Sequence, residues 1–158
     1  MCLGEGPLQK FQISVLTLLL MWCGLAMATQ GRTVALADAR DKVLLGEYMQ
    51  VLEDPEGDWT LDQVRDQFAS RFRNSGSSAL NFGFTRSTIW LRIAVDTSGV
   101  EGSWFLVERH PILDELTLYV PDAQGEYRAY EVGDSRDFSQ RPMKHRAFVF
   151  GLDTETPG

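Results

Sequence analysis

From Ile89 to Asp96 the chain reads IWLRIAVD, with Ile89, Leu91, Ile93 and Val95 projecting to one side and Trp90, Arg92, Ala94 and Asp96 to the other. A two-residue period belongs to an extended strand and cannot be laid on a helix, whose faces repeat every 3.6 residues. The pattern recurs down the chain. Trp104 to Arg109 (WFLVER) reads as the next strand, Leu116, Leu118 and Val120 alternate in LTLYV, Tyr127 to Val132 forms another, and Phe148-Val149-Phe150 opens a last. Thr97-Ser98-Gly99, Glu101-Gly102-Ser103, Pro121-Asp122-Ala123-Gln124-Gly125 and Gly133-Asp134 punctuate them as turns. Strands at this spacing, with one short helix before them, predict an all-β, antiparallel sandwich or barrel.

The preceding stretch is more mixed. Val43 to Leu52 (VLLGEYMQVL) predicts a strand ended by the turn Asp54-Pro55-Glu56-Gly57. Thr60-Leu61-Asp62-Gln63 has capping-box spacing, in which Thr60 accepts from the backbone at Gln63 and Gln63 reaches back. A short helix follows with Leu61, Val64 and Phe68 on one face, and Asn74-Ser75-Gly76-Ser77-Ser78 ends it in a loop. There is no fixed-period repeat or low-complexity tract.

The N-terminus carries a different signal. Phe11 to Ala28 (FQISVLTLLLMWCGLAMA) is almost continuously apolar, preceded by Lys10 and followed by Gln30-Gly31-Arg32. Ala26-Met27-Ala28 puts small residues at −3 and −1 of a cleavage site after Ala28, so residues 1–28 read as a secretory signal peptide and Thr29 as the mature start. An uncleaved anchor is the alternative reading, since the run is only slightly short of a bilayer span. Trp22 before Cys23 argues against a lipoprotein signal. Cys2 and Cys23 leave with the leader, so the mature chain has no thiol. Glu5 and Lys10 cancel, and the charge of −7, from 15 Lys plus Arg against 22 Asp plus Glu, is unchanged by processing. That field repels polyphosphates and excludes a general nucleic-acid binder. With 44% hydrophobic residues the chain suffices for one ordinary globular domain. The expected organisation is signal peptide 1–28, linker 29–41 and a sandwich over 42–158, in a periplasmic or otherwise extracytoplasmic location.

Several runs, taken in order, make the chain recognisable: Asn81-Phe82-Gly83-Phe84-Thr85, Ile89-Trp90-Leu91-Arg92, Trp104 to Glu108, Pro111 to Tyr119 (PILDELTLY), Gly133-Asp134, Arg141-Pro142 and Arg146 to Phe150 (RAFVF). Over roughly Lys42 to Leu152 the chain resembles the second type of extracellular domain of bacterial seven-transmembrane receptors with diverse intracellular signalling modules. The resemblance implies a jelly-roll-like β-sandwich similar to carbohydrate-binding modules, acting as a sensor on the outer side of the inner membrane. It also implies partners outside this sequence, namely the receptor's membrane helices and a signalling output domain. The family pattern runs on past Leu152, so the sandwich is expected to lack its last strand or strands and to be less stable than its parent.

Trp90 and Arg92 share a strand face, and a flat aromatic beside a forked guanidinium suits a saccharide. The structural alternative packs Trp90 between sheet and helix and pairs Arg92 with Glu108 or Asp114. Arg141, Lys144, His145 and Arg146 form the one basic cluster of an acidic chain, a candidate for an anionic ligand or a membrane surface, or else a solvated strand edge. Trp90, Arg92, Arg141, His145 and Arg146 are therefore the candidate ligand residues. Asn81-Phe82-Gly83-Phe84 reads as a loop entering a strand, with Asn81 capping backbone groups, and only one of Trp104 and Phe105 can face the core. His110 and His145 are too few for a histidine-rich metal centre, and Asp54, Glu56 and Asp58 lack the spacing of an EF-hand. Glu108, Asp114 and Glu115 offer carboxylates for glycoside hydrolysis, but neither a nucleophile elbow nor a phosphate-cradling loop is present. No enzyme activity, cofactor or metal is expected. Two functions remain: sensing a saccharide or small anion, or an interaction and homodimerisation module with no small ligand.

Overall fold

A computed structural model describes residues 31–39, 41–100, 102–110, 112–122 and 124–152. The proposed leader lies outside these residues, as does the chain after Leu152. The described strands are β1 (Thr33–Ala35), β2 (Gln50–Asp54), β3 (Arg73–Asn74), β4 (Thr88–Arg92), β5 (Ala94–Asp96), β6 (Trp104–Glu108), β7 (Leu116–Pro121), β8 (Tyr127–Val132) and β9 (Phe148–Leu152). Antiparallel pairing joins β3-β2-β4, β6-β9 and β7-β8, while β1 pairs with β5 in parallel. The fold is all-β, as the alternation predicts.

Two strands depart from expectation. The stretch from Val43 does not extend until Gln50, because Leu45 O accepts from the backbone N–H groups of Tyr48 at 2.9 Å and Met49 at 3.1 Å, curling Gly46–Tyr48 into a 3-10 turn. Gly46 is required there, since a Cβ on it would overlap the Ser78 backbone carbonyl. The run Ile89 to Asp96 divides at Ile93: β4 pairs with β2, whereas β5 leaves for β1. Thr33–Ala35, within the segment read as linker, thereby joins the body.

The helix begins as its capping box requires. The Thr60 N–H donates to Gln63 Oε1 at 2.8 Å, and the Gln63 N–H donates to Thr60 Oγ1 at 3.3 Å. It then widens into a π-helical turn over Gln63–Gln67, closed by the bond from Phe68 N–H to Gln63 O at 3.0 Å, and tightens to a 3-10 turn at Ala69–Arg71. The widening carries Val64 and Phe68 onto β2 and β4, where Leu52, Val64 and Phe72 form one buried cluster with Trp59, Phe68 and Trp90 against it.

The second cluster is a small sandwich. Register places Leu106 opposite Phe150 in one sheet, and Leu118 opposite Tyr130 and Leu116 opposite Val132 in the other. These residues pack with Phe148 between the two sheets, and the Tyr130 and Phe150 rings meet edge to face at 6.2 Å. Phe105 and Val107 point away from that core, each about half exposed. Trp104 is thus the inward member of the Trp104-Phe105 pair, half-buried. The Trp90 ring stacks on Tyr119 at 6.0 Å and 13°, and since Tyr119 follows Leu118 on β7 it projects from the sheet face opposite the sandwich core.

Asp54 is the most enclosed polar group among the described residues, with no exposed surface. Its Oδ1 accepts from the Gly57 N–H at 2.9 Å and its Oδ2 from the Trp59 N–H at 3.0 Å, so the expected Asp54-to-Gly57 turn is tied by its own first residue. Burial pushes the carboxyl pKa up. The backbone donors of Trp59 and Gly57, then the Trp90 indole and Asp58, outweigh it and hold the value below the ordinary 3.8. The indole Nε1 lies near this carboxylate but outside close hydrogen-bond geometry. Asp96 and Asp137 are also lowered, Asp96 first by the Ser98 hydroxyl and Asp137 first by the Ser139 N–H. A depressed carboxylate stabilises the fold above its unfolded pKa and loses that contribution as pH falls through the folded value. Melting temperature is therefore expected to be level near neutrality and to fall below about pH 4. In Asp54→Asn, which keeps one acceptor oxygen of two, the neutral-pH melting temperature drops and the acid dependence flattens; an unchanged acid slope rejects the assignment.

Candidate functional site

The strand that carries Trp90 and Arg92 meets β2 with Trp90 opposite Leu52 and Arg92 opposite Gln50. Leu52 and Gln50 are both buried, so the Trp90 and Arg92 face is the inward one and Leu91 is left 46% exposed. The side chain that packs best decides the face: an indole fills the space between sheet and helix that a leucine would leave partly empty. Arg92 pairs with neither Glu108 nor Asp114. Its Nε and Nη2 donate to Gln50 Oε1 at 3.0 and 2.8 Å, Nη2 also reaches Ala69 O at 3.3 Å, and the guanidinium lies 4.2 Å from the centre of the Phe72 ring. Its pKa is lowered by desolvation.

The basic loop divides by role. Arg141 Nη1 donates to the carbonyls of His145 at 3.1 Å and Arg146 at 2.9 Å, and its guanidinium lies 4.4 Å from the centre of the Phe148 ring and 5.0 Å from that of Phe138. His145 Nδ1 accepts from the Ala147 N–H at 3.0 Å. Arg141 thus staples the loop from inside, while Lys144, His145 and Arg146 are exposed on it. The pairing of Trp90 with Tyr119 and of Arg141 with Phe148 assigns these two groups of candidates to different aromatic neighbours. Among the described residues no three of His, Cys, Asp and Glu gather as a metal site, and no helix is long and apolar enough to cross a membrane. His110 and Glu108 pair with each other at the surface, at 2.8 Å.

A third region is a groove of about 820 Å3 between the β2-β3 ladder and the loop after β3. Arg71, Arg73, Asn74, Asn81 and Phe82 line it together with serines of the loop. The loop base is anchored: the Ser75 N–H donates to Met49 O at 3.0 Å and the Ser75 hydroxyl bonds Gly46 O. Further on, Asn81 Oδ1 accepts from the Gly83 N–H at 2.9 Å, the cap expected of Asn81, and Gly83 takes φ +62 with open space around it. Gly83 therefore serves the turn and no close backbone approach. Phe82 is 42% exposed and Phe84 fully so. Arg71 and Arg73 lie outside the runs that singled out candidates, and the two-residue spacing of arginines around the buried Phe72 was the available signal.

A family model described as 7TMR-DISM extracellular 2 matches residues 46–158. No curated protein and no solved structure matches the chain.

Proposed function

From the premise that this chain belongs to the 7TMR-DISM extracellular 2 family, we propose that it is the ligand-sensing domain of a bacterial membrane receptor and takes a saccharide or a small anion. As an extracellular domain of that family it is an extracytoplasmic sensing domain of a receptor. The proposal adds that residues 1–28 export it to the periplasm, that its sheets belong to a jelly-roll-like sandwich, and that it is noncatalytic. The carrying observation is the family match, which spans every strand from β2 to β9.

In this reading Trp90, Arg92 and Arg141 hold the frame on which ligand contacts rest, and His145 and Arg146 remain exposed beside it. Signalling requires that the ligand prefer one of two arrangements of the domain relative to the parent's membrane helices. A ligand at a hundred times its Kd adds about 2.7 kcal/mol to stability. A thermal-shift screen of neutral and acidic sugars is therefore expected to give at least one clear rise in melting temperature.

The second reading, an interaction or homodimerisation module, is favoured by Phe105 and Val107, which stand 49% and 47% exposed side by side on the outward face of β6. No rise from any sugar, together with association that grows with protein concentration in sedimentation, selects it over sensing.

A further inference from the structure

We propose that the groove beside β3 is the ligand site of this domain, and that it takes a small carboxylate with a flat apolar face. The proposal rests on the sensing reading above and names its site and ligand class.

About 820 Å3 falls within the range of small-molecule clefts, roughly 300–1,000 Å3. The lining is cationic. Arg71 and Arg73 both border the groove, and neither has a carboxylate partner among the described residues, although the chain as a whole carries −7. Arg71 is also pre-oriented, its guanidinium held over the rings of Phe68 at 5.0 Å and Trp59 at 5.4 Å. A guanidinium held against aromatic rings loses less freedom when it takes up a carboxylate, and the fork matches the two carboxylate oxygens. Glu53 also lines the groove and keeps its negative charge while its Oε1 accepts from the Ser87 hydroxyl at 2.7 Å, but the two guanidinium groups outnumber it.

The remaining side chains add a donor and an apolar face. Asn81 spends its carbonyl oxygen on the Gly83 N–H, which leaves its amide N–H2 as a donor for a ligand oxygen. Phe82 presents an exposed ring on the same wall, suited to the C–H face of a sugar or to an aromatic ring. Two cationic forks, one amide donor and one flat ring make a set that recognises an acid carrying a flat face, whether an acidic sugar or an aromatic acid.

The test is a titration of the isotope-labelled chain with glucuronate, benzoate and, as the neutral control, glucose, followed by amide chemical shifts. Saturable shifts at Arg73, Asn74 and Asn81 are expected from a carboxylate and not from glucose; glucuronate against benzoate identifies the source. Arg73→Ala and Phe82→Ala each weaken binding about tenfold or more, Arg73→Lys falls between, and Arg86→Ala leaves it unchanged. Phe82 lies on an exposed loop, so its variant and the shift map on the unaltered chain decide the matter even if Arg73→Ala misfolds. Carboxylate shifts confined to His145 and Arg146 overturn the groove but leave sensing intact. Absence of any carboxylate binding also overturns the groove, and sensing falls with it only if the sugar screen is silent as well.

Discussion

Phe148→Ala is expected to cost about 3–5 kcal/mol, the range for removing a fully packed aromatic side chain, and to lower the melting temperature by roughly 10–20 °C. Phe148 is 1% exposed and sits between two sheets that have few other buried side chains, chiefly Val132 and Phe150. Arg141 stacks on the same ring, so the truncation also removes the platform of the guanidinium that holds the His145 and Arg146 carbonyls. Loss of protection in amide exchange across residues 141–147 should accompany the loss of stability. Phe105→Ala, on the exposed face of the same sheet, is the control and should change stability by no more than about 0.5 kcal/mol. Equal costs for the two variants would place the core elsewhere.

The second large effect is expected at Gly133. Its backbone has no left-handed φ, so alanine meets no conformational penalty; the obstacle is space. A Cβ on Gly133 would overlap the Asp114 carbonyl and crowd Glu115 Cα. These are backbone atoms of the approach to β7, and they cannot swing aside. Bonds from Asp134 N–H to Leu113 O at 2.8 Å and from the Ser135 hydroxyl to Asp114 O at 2.7 Å hold the two segments together. Gly133→Ala should therefore cost about 3 kcal/mol or more, the upper end for overpacking, and displace the open end of the β7-β8 pair, where Leu116 lies opposite Val132. Gly125→Ala supplies the opposite case. Gly125 has φ +82 and open space, so only the left-handed backbone penalty applies, about 1–2 kcal/mol. Urea melts of the two variants separate the causes, and a Gly133→Ala protein as stable as its parent would refute the close approach.

The strands were legible where alternation and turn signals agreed. Tyr127–Val132 coincides with the expected segment, and Leu116–Pro121 extends its segment by one residue. Thr60 and Gln63 announced the helix start in two residues, since a reciprocal cap depends only on local spacing. Gly46 shows the limit: its neighbours look strand-like, but it yields to a loop more than thirty residues on that no local pattern contains. The break at Ile93 is hidden for the same reason, because partner choice is a long-range property. Among the candidate residues, chemistry was readable and direction was not. Alternation puts Trp90 and Arg92 on one face, but only Leu52 and Gln50 on the neighbouring strand say that it is the inner one. The groove was invisible for a related reason: Arg71 and Arg73 are unremarkable until Asn81 and Phe82 close over the space beside them.

The stack of Trp90 on Tyr119 gives the molecule an optical reporter of its own. The indole belongs to the cluster with Val64 and Phe72, and the phenol rises from the strand that backs the other cluster. A phenol so close passes its excitation to the indole, and the fluorescence yield of that pair depends on their separation and tilt. Any event that slides one half of the domain over the other should thus change the emission of the unlabelled chain.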